Sequence, residues 1–166
     1  ALSQLISTSG PINVTAGSGA ITDNLVSEAA NLSTSGTVTL DAETGIGSAG
    51  GAADIDTTIG TLVATNRTSG NIVIQETSGL IVAGTGVQTL AGNGSISIDV
   101  DAGNLTINSV VTAHGAGTVT LNADSGTIDI NAVVSSTSGA IQITGDIITQ
   151  DANVTTGSTA AVVVTA

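Results

Sequence analysis

The chain has 166 residues and a formal net charge of −12 at pH 7, with one Lys or Arg against 13 acidic residues. Such a chain repels phosphate backbones and anionic membrane surfaces, which argues against nucleic acid and membranes as partners. It contains no aromatic residue, Met or Cys, and no apolar run long enough for membrane insertion as a helix. Its 40% hydrophobic content argues against disorder, so we expect a narrow core of Ile, Val, Leu and Ala.

A short pattern recurs six times: a glycine is followed by a strand in which apolar and polar side chains alternate. The second and fourth residues after each glycine are Ile, Val or Leu, which places two apolar side chains on one face of the strand. The copies begin at Gly10, Gly36, Gly70, Gly94, Gly117 and Gly139, and in five of them a second glycine follows nine residues later, at Gly19, Gly45, Gly79, Gly103 and Gly126.

The copies start 26, 34, 24, 23 and 22 residues apart, a length that fits two or three short strands with their turns. Repetition at such a period is typical of stacked architectures. The sequence therefore predicts an all-β fold, a right-handed parallel β-solenoid (β-helix) of about six to seven coils of 22–26 residues, with handedness taken from the crossover rule. Glycines are expected at the corners, where the backbone turns or closely approaches its neighbour.

One interval departs from this regularity. The 34-residue interval contains a glycine-rich stretch without a strand pattern, which predicts a Gly-rich insertion at about residues 46–60 that bulges from one corner. Residues 1–166 are then a single solenoid segment. Because the pattern shows no cap at either end, we expect this segment to belong to a longer array.

The two ends of the chain are also candidates for contacts between copies. An unpaired parallel edge invites pairing with another chain, so we expect neighbouring copies as partners, stacked end to end. The candidate contact residues are Leu2, Leu5, Ile6, Val162, Val163 and Val164.

The stretch from Gly94 to Ile143 contains Ala-Gly-Asn-Leu-Thr-Ile, Gly-Thr-Val-Thr-Leu-Asn-Ala and Ser-Gly-Thr-Ile-Asp-Ile-Asn-Ala. These motifs resemble the β-helical repeats of filamentous-haemagglutinin-type exoproteins and related giant bacterial adhesins. The resemblance implies a secreted, right-handed β-helical stalk that holds binding regions away from a cell, and it brings no catalytic residues. The acidic, hydroxyl-rich composition without lysine is also typical of exported surface proteins, so we expect an extracellular or cell-surface location.

Two pairs of aspartates are candidates for metal binding. Asp54 and Asp56 lie two residues apart, as do Asp99 and Asp101, so each pair projects from one face of a strand. Carboxylate oxygens suit calcium, but solvated surface is the commoner reason for such pairs. The sequence therefore assigns no metal and no cofactor, with calcium at these four residues kept as a weak alternative.

No enzymatic activity is expected. Paired carboxylates also serve glycosidases, and many polysaccharide lyases are β-helices, but lyase chemistry needs several Lys, Arg or Tyr side chains. Arg67 is the single basic residue, and we expect it to pair with an acid on the surface. His114 is expected to lie solvated in a corner turn.

Outward Thr-x-Thr arrays would suit ice binding, but only Thr37/Thr39 and Thr118/Thr120 keep that pattern among the six copies. Asn108 and Asn131 occupy equivalent positions and predict an inward asparagine ladder between adjacent coils. Taken together, the sequence favours a structural or adhesive stalk or fibre segment of an extracellular surface protein. A filament subunit that polymerises end to end is the alternative, and ice binding or polysaccharide processing is favoured less.

Overall fold

The structure, a computed structural model, describes residues 1–50 and 52–166. Within these residues there is no helix, and so none that is long and apolar enough to cross a membrane. The strands are β1 (Leu5–Ile6), β2 (Ile12–Ala16), β3 (Leu32–Ala42), β4 (Ile55–Asn66), β5 (Ile72–Glu76), β6 (Leu80–Thr89), β7 (Ile96–Val100), β8 (Leu105–Ile107), β9 (Val111–Ala113), β10 (Val119–Ile130), β11 (Val134–Ser136), β12 (Ile141–Gln150), β13 (Val154–Thr156) and β14 (Val162–Thr165).

The strands pair in parallel and form a β-solenoid of about seven turns, which confirms the predicted fold class. A turn contains three strand segments, which we call faces 1, 2 and 3, represented by β7, β8 and β9 in one turn. Each segment pairs with its equivalents on adjacent turns, as β9 does with β6 and β11. The long strand β10 bends around a corner, since its first half pairs with β7 and its second half with β8.

The core consists of aliphatic columns that run from turn to turn. On face 1, Ile72 aligns with Ile96 and Ile96 with Val119, and all three are fully buried. The alternating pattern directs every second side chain into the rod, as in β7, where buried and half-buried residues alternate. The predicted stacking of these aliphatic residues is therefore confirmed.

The first two copies of the repeat lie on a different face from the last four. Val38, in the second copy, aligns with Leu62 and, one turn further, with Val82 on face 2. Ile72, in the third copy, instead aligns with Ile46 on face 1. The expectation that all six copies are equivalent is therefore wrong, because a glycine followed by alternating apolar residues opens more than one face of a turn.

The glycine-rich insertion is shorter than predicted and lies within a face, not at a corner. Ile46 pairs with Ile72 and Ile55 pairs with Ile74, so the chain leaves face 1 after Ile46 and rejoins it at Ile55. The predicted range of 46–60 is wrong at its later bound because residues 55–60 belong to β4, where four of these six residues are buried. Residue 51, inside the predicted stretch, lies outside the described residues.

A second insertion, residues 24–30, occupies the preceding turn of face 1, and the repeat pattern does not predict it. Leu2 pairs with Asp23 and Leu5 pairs with Leu32, so the two residues between Leu2 and Leu5 stand opposite the eight between Asp23 and Leu32. Because Leu32 in turn aligns with Thr57, the insertions 24–30 and 47–54 lie on adjacent turns. We call them the stacked insertions.

Glycine columns run along two corners, because successive turns approach too closely there for a side chain. A Cβ atom on Gly117 would overlap the carbonyl oxygen of Gly94, and one on Gly94 would overlap that of Gly70. Neither Gly94 nor Gly117 has a positive φ, so lack of space requires glycine at these positions. At the other corner, a Cβ on Gly126 would overlap the carbonyl oxygen of Gly103.

The substitution Gly117→Ala is expected to lower the free energy of unfolding by about 2 kcal/mol or more, because the new methyl group forces adjacent turns apart. The matched control is Gly17→Ala, where a Cβ meets no atom within 4 Å and the φ is not positive. That variant should change stability by less than about 1 kcal/mol. Chemical denaturation of both variants checks the prediction, and equal effects would contradict it.

Candidate cation site on the stacked insertions

The structure gathers Asp54 and Asp56, one of the predicted pairs, with Glu28 in an acidic cluster. One carboxylate oxygen from each residue lies within 4.8 Å of those of the other two. Glu28 belongs to the insertion 24–30, Asp54 ends the insertion 47–54, and Asp56 lies at the start of β4. The cluster therefore joins adjacent turns of the rod.

Asp23, immediately before the first insertion, adds a fourth carboxylate to this region, and its charge raises the pKa of both Asp54 and Asp56. One of its oxygens accepts hydrogen bonds from the backbone N–H of Leu25, at 2.8 Å, and from the side-chain amide of Asn31. We call Asp23, Glu28, Asp54 and Asp56 the insertion cluster.

Three oxygens of the insertion cluster are buried and have no hydrogen-bond partner among the described residues: Oδ2 of Asp23, Oδ1 of Asp54 and Oδ2 of Asp56. Asp56 is the most enclosed of these side chains, with 5% of its surface exposed. Buried polar atoms in proteins are normally hydrogen bonded. These oxygens therefore need a hydrogen-bond donor or a cation that the described residues do not supply.

Asn31 is completely buried and holds both turns of the cluster in position. Its Nδ2 donates to Asp23 and, at 3.2 Å, to the carbonyl of Ser3. Its Oδ1 accepts a hydrogen bond of 3.0 Å from the N–H of Asp56, and its own N–H donates to the Asp56 carbonyl at 2.8 Å. A single side chain thus fixes two of the four acids relative to each other.

Burial and neighbouring negative charges both raise the pKa of the aspartates in the cluster. The pKa of Asp56 is raised to about 6, first by burial and then by the charges of Asp54, Glu28 and Asp23. The pKa of Asp54 is also raised, again chiefly by burial.

No Lys or Arg neutralises the insertion cluster, because the single basic side chain of this type is engaged elsewhere. Arg67 forms an ion pair with Asp41, and its guanidinium lies 3.9 Å from the carboxylate of Glu43. The predicted surface pairing of Arg67 is confirmed. Charge compensation at the cluster must therefore come from solution.

The second predicted pair, Asp99 and Asp101, also acquires a third acid, Asp124. Here the carboxylates already have donors: the side-chain amide of Asn122 donates to Asp99 at 2.8 Å and to Asp124 at 2.6 Å. The amide of Gln75 donates to Asp101 at 3.1 Å. Burial raises the pKa of Asp99, and the bond from Asn122 counteracts this. We therefore place the candidate cation site at the insertion cluster.

Sequence reasoning missed Glu76, a fully buried carboxylate at the end of β5. It accepts hydrogen bonds from the Thr57 hydroxyl at 2.7 Å, the Ile59 N–H at 3.0 Å, and the N–H and hydroxyl of Ser78 at 2.9 and 2.8 Å. Burial raises its pKa and these bonds counteract the rise. Glu76 therefore clamps two turns together. Its signal in the sequence is its place in the repeat, where other copies carry Ala, Val or Gly.

The asparagine ladder forms, but on the outside of the rod. The amide of Asn131 donates to the side-chain carbonyl of Asn108 at 3.0 Å, and both residues are exposed. The inward orientation was wrong because each asparagine follows a buried isoleucine, and successive side chains of a strand alternate in direction. His114 is exposed, as expected, and its Nδ1 contacts the Gly92 carbonyl.

The two Thr-x-Thr pairs do not share a face of the rod. Thr37 aligns with Thr61, and its strand continues into faces 2 and 3, whereas Thr120 aligns with Ser97 on face 1. No common threonine array results from them.

The residues predicted for end-to-end contact lie at the first and last strands of the rod. Val162 and Val164 align with the buried Ile141 and Ile143 of β12, yet they are 41% and 48% exposed because β14 has no partner on its outer side. At the other end β1 pairs only with β3. There Leu5 and Ile6 are exposed and Leu2 is partly buried, while Val163 of β14 aligns with the outward Gln142.

Comparison of the chain with protein-family profiles, curated proteins and solved structures gave no match. The function proposed below therefore rests on the sequence and the geometry of the chain itself.

Acidification is expected to stabilise the chain in the absence of divalent metal. The pKa of Asp56 is about 6 in the folded state against an ordinary value of 3.8, so the folded state retains a proton that the unfolded state has released. The stabilisation that this proton provides is complete below pH 3.8, and it is lost as the pH rises through about 6. The free energy of unfolding in chelator should be about 1–3 kcal/mol greater near pH 4 than near pH 7.

The variant Asp56→Asn provides the control, because it removes the titrating group and one negative charge. The difference between the two pH values should become smaller in this variant, and the remainder comes from the other acids whose pKa is raised, Asp54, Glu76 and Asp99. Urea denaturation at both values tests this, and an unchanged difference would show that Asp56 is not responsible.

Proposed function

We propose that this chain is a structural segment of an extracellular surface protein, a β-solenoid stalk or adhesive fibre without catalytic activity. The observation that carries the proposal is the continuous parallel ladder over about seven turns, which encloses a single aliphatic core. Successive turns are about 4.8 Å apart, so the rod is on the order of 30 Å long. Because each turn is stabilised by its neighbours, the rod resists bending and local loss of structure.

The surface chemistry supports an extracellular and non-enzymatic role. The exterior is acidic and rich in hydroxyl groups, which favours solubility of a long rod. The single arginine is paired with acids. Enzymes that cleave acidic polysaccharides require several free basic or phenolic side chains. The resemblance of the Gly94–Ile143 repeats to giant bacterial adhesins supports the same role.

A force measurement along the axis tests the stalk proposal. When the two ends are pulled apart, the chain should unfold turn by turn or in groups of turns. The reason is that the force acts at the same time on all the backbone hydrogen bonds that join one turn to the next. A turn such as the one from Ile72 to Ile96 spans 24 residues. It should release about 8 nm of contour length. A single featureless extension at low force would contradict a load-bearing role, and cleavage of an acidic polysaccharide by the purified chain would contradict the absence of catalysis.

The alternative function, a filament subunit that polymerises end to end, is favoured by the exposed valines of β14. Val162 and Val164 continue the buried columns of Ile141 and Ile143, and a second copy placed on this edge would cover them. The opposite surface of that copy offers Leu5, which continues the column of Leu32. Such a junction would add parallel ladder bonds as well as apolar burial.

The double variant Val162→Lys/Val164→Lys separates the two functions. It places charge at the ends of the buried columns and should abolish filaments if the wild-type chain forms them, with little effect on the chain itself because both side chains are already exposed. The matched control is Val163→Lys, which lies on the outward side of the same strand. Electron microscopy and size determination check this. A wild-type chain that remains monomeric at high concentration would refute polymerisation and leave the stalk proposal intact.

A further inference from the structure

We propose that the insertion cluster is a calcium site, in which Glu28, Asp54 and Asp56 bind one Ca²⁺ ion, with Asp23 beside them, and that this ion fastens the stacked insertions to each other. The proposal concerns a site on the side of the rod and does not depend on what the rod carries or whether it polymerises.

The spacing of the oxygens fits one calcium ion. Carboxylate oxygens of Glu28, Asp54 and Asp56 lie within 4.8 Å of one another. Ca²⁺ binds oxygen at about 2.3–2.6 Å, so oxygens up to about 5 Å apart can share one ion. Mg²⁺ binds at about 2.0–2.1 Å and demands near-octahedral geometry. Carboxylates from two loops and a strand suit the irregular coordination of calcium better.

The unsatisfied oxygens are the observation that distinguishes this cluster from an ordinary acidic surface. Asp56 is 95% enclosed, since 5% of it is exposed, and its Oδ2 has no hydrogen-bond partner among the described residues. Asp54 and Asp23 each have a further buried oxygen without a partner among the described residues. A proton satisfies one oxygen at a time, whereas a divalent ion coordinates several and offsets two negative charges.

The surrounding structure prepares the site before the ion arrives. Asn31 fixes Asp23 and the backbone of Asp56 through hydrogen bonds of its buried side chain, as the outer-shell partners of metal ligands commonly do. Asp54 lies two residues before Asp56 and is partly buried. Glu28 is exposed on its insertion, so binding of its carboxylate would connect the first insertion to the second.

The cluster of Asp99, Asp101 and Asp124 shows why three neighbouring carboxylates alone do not predict a bound ion. It also brings three carboxylates together. Its oxygens accept hydrogen bonds from Asn122 and Gln75, Asp99 has no buried oxygen without a partner, and Asp124 is exposed to solvent. We therefore expect no specific ion there.

Calorimetric titration of the chelator-treated, 166-residue chain with CaCl₂ tests the proposal. We expect one ion per chain, with a Kd on the order of 10⁻⁵ to 10⁻³ M. The melting temperature should rise by about 5–10 °C when calcium exceeds Kd about 100-fold. Absence of both binding and stabilisation would overturn the proposal, and equal affinity for Mg²⁺ would overturn the assignment to calcium.

Two variants test which residues bind the ion. Asp56→Asn should abolish saturable binding, and Glu28→Gln should weaken it at least about tenfold. Because Glu28 is exposed on an insertion, its variant keeps the test valid even if the Asp56 variant does not fold. The control Asp124→Asn removes one charge from the other cluster, at a residue whose charge does not affect the pKa of Asp54 or Asp56, and should leave Kd unchanged. Binding that survives Glu28→Gln unchanged, or that the control weakens equally, would overturn the site.

Discussion

Direct backbone contact between successive turns is the constraint on which the rest of the molecule depends. A spacing of about 4.8 Å leaves no room for a Cβ where two corners stack, so Gly94 and Gly117 follow from the architecture. Inside the rod the same spacing stacks aliphatic side chains in columns, and buried polar groups need partners from the next turn. Glu76 and Asn31 meet that condition with hydrogen bonds that cross between turns.

The fold could be predicted because its determinants are local. Alternation of side chains marks a strand within five residues, and recurrence marks a stack. Position within the turn could not be read in the same way, because Val38 on face 2 and Ile72 on face 1 follow the same local pattern. The insertion 24–30 was hidden for a related reason. The interval between Gly10 and Gly36 that contains it is 26 residues long, close to the other intervals, so length gave no warning.

The candidate site was predictable in part. Two aspartates separated by one residue share a strand face, which is why Asp54 and Asp56 were found. Glu28 and Asp23 reach them from the preceding turn, and contacts between turns depend on a register that short-range patterns do not specify. Glu76 differs, because its position in the repeat is apolar or small in the other copies. An acidic residue at such a position can be recognised by aligning the repeats with one another.

The ion pairs of Arg67 also bear on how such a rod is degraded. Trypsin-like proteases cut after Lys or Arg, and the chain offers them one peptide bond, between Arg67 and Thr68. That bond lies at a corner where the N–H groups of both residues donate to carbonyls of the previous turn, at 2.9 and 3.0 Å. A cut there would leave each half held by the turns above and below it. Resistance to trypsin-like proteases is thus a by-product of a surface nearly devoid of positive charge.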